Sequence, residues 1–160
     1  MTTPHELPTD AVFVELGKLV WAAVNLEDVV YTVCHCIAPT GDYRDTPIGT
    51  RIRTARQALT AQPDHELRER ADTWLEQAAV ALAERNAVLH GEPVTFVPLA
   101  PEVTPGDLDP MLAHFPRDRT RPMVHTPLTV AGLAAVTRRI EAAREGWDTL
   151  AGELYEQRTW

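Results

Sequence analysis

Between Asp10 and Ile37, apolar residues recur at spacings of three and four. Val12, Phe13, Leu16, Leu19, Val20, Ala23, Val24, Leu26, Val29, Val30, Val33 and Ile37 make up the run. That period predicts one long amphipathic helix with a buried stripe. Thr9 or Asp10 can cap it, and Pro39 and Gly41 end it. Its length is about 40 Å at 1.5 Å per residue, which suits a bundle. A shorter helix follows, with Thr46 as cap, Pro47 in the first turn and Ile48, Ile52, Ala55 and Leu59 as its stripe. Pro63 and Asp64 punctuate before a third helix over about 64–90. Its inward positions are Leu67, Ala71, Trp74, Leu75, Ala78, Leu82 and Leu89, and Gly91 and Pro93 stop it.

Residues 92–128 lose this period and read as an irregular, Pro-rich insertion. Two β-like runs, 94–99 and 121–128, are able to pair as a hairpin. Thr129 then caps a last helix over about 130–157, with Val130, Leu133, Val136, Ile140, Trp147, Leu150 and Leu154 inward. Residues 1–160 thus form a single domain with a loose leader at 1–8. The expected fold is all-α: an up-down bundle of four to five helices with the Pro-rich excursion before the last one.

The 160 residues carry 23 acidic against 15 basic side chains, a net charge of −8. An all-over electrostatic grip on nucleic acid is excluded, so any such contact must come from a local basic patch. Arg51 and Arg56 on the second helix, and Arg117, Arg119 and Arg121 in the insertion, are the candidates for contacting RNA phosphate. Two cysteines one residue apart make no disulfide framework, and a reducing cytoplasm is the simplest setting. No signal peptide is expected at the start, and no apolar stretch is long enough to span a membrane.

The segment ERNAVLHGEP, 84–93, carries the chemistry of interest. Asn86 and His90 stand four apart, one turn along the same helical face. Arg85 lies about 140° round from His90 on an ideal helix, within reach of a long side chain and a loosened last turn. Histidine takes or gives a proton near neutral pH. Arginine grips a phosphate and stabilises developing charge. Asparagine orients either partner. The trio suits RNA cleavage by 2′-hydroxyl attack without a metal. No cluster with metal-ligand spacing competes with it.

This arrangement resembles the HEPN domain family, a four-to-five-helix bundle found in toxins, abortive-infection proteins and CRISPR-linked ribonucleases. The hallmark is Arg, four to six residues, then His, often with Asn directly after the Arg. Arg85, Asn86 and His90 match it. A polar cluster in the long first helix, Asn25, Glu27 and Asp28, is also similar to the family, so Asn25 and Glu27 are candidate supporting residues. The resemblance covers about 9–91 and 129–157. It implies metal-independent endoribonuclease activity with no cofactor, in a toxin or phage-defence role. It implies a homodimer with a composite site at the two-fold interface, and an antitoxin protein as a partner. Some members carry a Tyr two residues after the His; this chain has Glu92 there.

Plainer readings stand beside these. Arg85 can be a salt-bridge partner of Glu84 or of an acid across the bundle, with His90 a C-terminal cap. The chain would then be a catalytically inactive binding module or a helical interaction protein. Arg119 and His125 repeat the Arg-to-His spacing in the insertion. Cys34, His35 and Cys36 point to different sides of a helix and read as core-lining rather than metal-binding. Trp21 sits off the main stripe, a hint of a dimer surface.

Overall fold

The computed structural model describes residues 9–39, 46–94, 111–114, 124–127 and 129–157. Helix α1 spans Asp10–Ile37. Helix α2 spans Ile48–Ala58 and tightens into a 3-10 turn over Leu59–Ala61. Helix α3 spans His65–Leu89, α4 Val130–Arg144 and α5 Trp147–Glu156. Together they form an all-α bundle organised around α1, which touches α2, α3, α4 and α5.

The caps divide into two kinds. Asp64 accepts from Leu67 N at 3.0 Å, and Thr129 accepts from Gly132 N at 3.1 Å. Each satisfies an amide that the first helical turn leaves without a partner. Thr9 holds the N-cap position of α1 through its backbone alone. Thr46 does not cap α2, because Pro47 takes the N-cap position. Proline has a φ suited to a helix start, and its carbonyl accepts from Thr50 N at 2.9 Å.

The last helical run is two helices, not one. Gly146 adopts φ +73° between α4 and α5, a left-handed conformation that glycine reaches without a Cβ penalty. The turn redirects α5, and Arg70 of α3 then meets Glu153 with two bonds of 2.8 and 3.0 Å.

Among its described residues the excursion shows three antiparallel strands rather than a two-stranded hairpin: β1 over Glu92–Val94, β2 over Met111–His114 and β3 over Val124–Pro127. The central β2 pairs with both neighbours, Pro93 opposite Leu112 and Ala113 opposite His125. It falls between the two β-like runs of the sequence, and residues 95–99 lie outside the described residues. Strands β2 and β3 approach α3, and β3 also approaches α4.

The core is one cluster drawn from all five helices. Leu19, Leu26, Val30 and Val33 of α1 meet Leu67 and Leu75 of α3 and Leu133 and Ile140 of α4. Five residues expected inside lie exposed: Phe13, Val20, Val24, Leu89 and Val130. The apolar positions of α1 wrap too far round the helix for one layer of neighbours to cover. Leu89 and Val130 sit at helix ends, where packing thins.

Candidate functional site

The candidate site begins where α3 ends. Arg85 Nη2 donates to Glu27 Oε1 of α1, so two of the sequence's candidate residues come together across the bundle. The pair is partly sheltered, with side-chain exposures of 17% for Arg85 and 28% for Glu27. Arg85 Nε is buried without a hydrogen-bond partner among the described residues. Burial pulls the guanidinium below the ordinary arginine range, yet an arginine remains cationic at neutral pH.

His90 occupies the C-cap of α3 with φ −113° and ψ 6°, and its backbone N–H donates to Asn86 O at 3.0 Å. Its side chain is exposed, and that of Asn86 is half-buried. A cation at this end of a helix also faces the negative end of its dipole. The neighbouring Glu84 does not pair with Arg85; it accepts from Arg139 Nε of α4 at 2.7 Å. A shallow apolar groove between α3 and α4, lined by Val80, Ala81, Ala142 and Ala143, ends at this Glu84–Arg139 pair.

Asn25 is not gathered into the site. Its Nδ2 donates to Trp21 O within α1 at 3.0 Å. Two positions apart on a helix, Asn25 and Glu27 face roughly opposite sides.

Two of the five arginines expected to contact phosphate, Arg51 and Arg56, have partners within the protein. Arg51 is buried at 7% exposure, its Nε donating to Thr46 O at 2.9 Å and its guanidinium 4.1 Å from the Tyr31 ring centroid. That stacking is a cation–π contact within the fold. Arg56 forms a fork on Asp72 with bonds of 2.6 and 2.9 Å, and Glu76 stands 3.6 Å away. The fork holds the Asp72 carboxyl below its usual range, chiefly by the hydrogen bond. A phosphate at Arg56 would compete with Asp72 and Glu76 for the guanidinium. Arg117, Arg119 and Arg121 lie outside the described residues, and His125 falls in β3.

Tyr31, Asp72 and Glu76 were not singled out in the sequence. Each meets its arginine across two helices, so no spacing within one helix signals the contact. Cys34 is buried in the core and Cys36 half-buried. Among the described residues, no group of three or more His, Cys, Asp or Glu is placed to hold a metal ion. No described helix is long and apolar enough to cross a membrane. Compared with family models, curated proteins and solved structures, the chain matches none.

Proposed function

We propose that this chain is a metal-independent endoribonuclease of HEPN type, acting in the cytoplasm in a toxin or phage-defence role. The observation that carries the reading is the convergence of Arg85 of α3 with Glu27 of α1, one turn before the exposed His90. In this reading a neutral His90 imidazole takes the proton from a ribose 2′-hydroxyl, and the 2′-oxygen attacks the adjacent phosphorus. The P–O5′ bond breaks, leaving a 2′,3′-cyclic phosphate and a 5′-oxygen that takes up a proton. Arg85 binds the scissile phosphate and offsets its developing charge. Glu27 positions Arg85, and Asn86 orients His90 or the phosphate. In a homodimer, the second copy's His90 would supply the proton to the leaving oxygen. An antitoxin protein would hold the activity in check.

The test is cleavage of end-labelled RNA in EDTA by the wild type, His90→Ala and Arg85→Ala. Cutting with 2′,3′-cyclic phosphate ends by the wild type alone is the expected result. A second reading, a catalytically inactive binding module or helical interaction protein, is favoured by one observation: Glu27 already occupies the Arg85 guanidinium. RNA left intact by all three proteins selects it.

A further inference from the structure

Helix α1 has two apolar faces. One carries Leu19, Leu26, Val30 and Val33 into the core. The other carries Phe13, Val14, Gly17, Val20, Trp21 and Val24, at spacings of three, four and seven that line one side of a helix. On an ideal helix this row lies roughly opposite the buried one. Helices α2, α3, α4 and α5 all pack on the core side. Nothing among the described residues covers the outer row. Phe13 is 54% exposed, Val14 58%, Val20 38%, Trp21 70% and Val24 51%.

We infer that the outer face of α1 is the interface between two copies of this chain. Area is the first argument. With aromatic side chains at roughly 200 Å² each, the five residues expose about 500 Å² of contiguous, largely apolar surface per chain. Two copies face to face therefore hide up to about 1,000 Å² before any polar rim is counted, the least area expected of a biological interface. Self-complementarity is the second. A Cβ at Gly17 would meet nothing within 4 Å, so the face has an open notch beside its largest knob, Trp21. A two-fold axis near the middle of the row seats each Trp21 in the other copy's notch, as an isologous contact demands.

Charge is the third. Asp10 and Asp28 bracket the row and Glu27 borders it, while its centre carries no charge that a differently charged partner would be needed to neutralise. The bracketing acids are about 27 Å apart along the axis. Helices crossing at about −50° touch over only a few turns, so these acids splay into water instead of opposing one another.

The inference does not depend on cleavage, and it stands apart from the composite site in the reading above, because α3, which His90 caps, packs on the other side of α1. Its test is the mass of the full chain by sedimentation velocity over a concentration series. The wild type is expected to be a dimer. Val20→Asp combined with Trp21→Asp is expected to weaken association about 100-fold or more, as for substitutions at the centre of an interface. Helical circular dichroism should stay unchanged, because both side chains lie outside the core. Trp21→Ala, a gentler change, should weaken association in the same direction. A wild type that stays monomeric at every concentration overturns the inference. So does a dimer that survives the double substitution, because its interface lies elsewhere. A dimer that cuts no RNA leaves this inference standing and overturns only the nuclease reading. A monomer that cuts RNA does the reverse.

Discussion

Arg85 and Glu27, 58 residues apart in sequence, form the ion pair that joins the end of α3 to the middle of α1. The pair is sheltered enough that losing one partner leaves a poorly hydrated charge. Glu27→Ala should therefore cost about 1–3 kcal/mol in denaturant unfolding. Combining it with Arg85→Ala should cost less than the sum of the single changes, since the stranded cation is removed too. Strict additivity would show that the two side chains do not interact in solution.

Gly146 is the next point of leverage. Its φ of +73° is costly for any residue with a Cβ, although nothing lies within 4 Å of where that Cβ would sit. Gly146→Ala should destabilise by about 1 kcal/mol through the backbone alone. An unchanged or raised melting temperature would show that the turn tolerates a right-handed conformation.

Thr129→Ala removes the hydroxyl that accepts from Gly132 N, and should cost about 1 kcal/mol. Thr129→Ser retains the acceptor and should recover most of it. Equal losses in both would assign the effect to the threonine methyl group.

Among the described residues, two carboxyls held below their usual range contribute to the acid limb of stability. Asp64 is held low chiefly by the Leu67 amide, and Asp72 chiefly by Arg56. A depressed carboxyl stabilises the fold above its unfolded pKa of about 4, and that contribution fades as pH falls through the lower folded value. Stability should thus decline as the solution is acidified below about pH 4, and Asp72→Asn should flatten the decline. An unaltered acid limb in Asp72→Asn would show that the fork with Arg56 adds nothing.

Burial pushes the Cys34 thiol up to about 12, a rise that the nearby Arg51 only partly offsets. The thiolate is the reactive form, so a neutral thiol in the core is slow to alkylate. At pH 8 one thiol per chain, Cys36, should react readily while Cys34 reacts only on unfolding. The same raised pKa means that folding opposes ionisation, so stability should fall as pH rises above the ordinary thiol value of about 8.5. Two thiols alkylating at equal rates in the native protein would contradict this.

How much could be read in advance depended on whether the signal was local. The bounds of α1 and α3 followed from period and caps, because Asp64 and the Gly91–Pro93 stop act within one turn. Most of the Leu67-to-Leu82 stripe followed as well, since a three-and-four spacing fixes a face without knowledge of the partner. The break at Gly146 was also legible in principle, as a glycine after a basic last turn, but the stripe runs through it almost in phase. Phe13, Val20 and Val24 illustrate the opposite limit. Composition marks them as apolar, and only the count of neighbouring helices decides which of two apolar faces is covered. Arg51 was unreadable for a related reason: its burial depends on Tyr31, which belongs to another helix. In the candidate site, the Arg85-to-His90 spacing was visible, while the choice of Glu27 over Glu84 as partner came from the crossing of α1 and α3.

The central position of α1 also dictates the order of events during synthesis. Its core partners include Leu133 and Ile140 of α4 and Leu154 of α5, more than a hundred residues downstream of Leu19. At about 5–20 residues per second, α4 leaves the ribosome roughly 5–20 seconds after α1 is complete. Such long-range closure slows folding and leaves a helix with two apolar faces uncovered throughout that interval. Slow, concentration-dependent refolding is the kinetic signature of this layout. Circular permutation that brings α4 next to α1 in sequence should speed it.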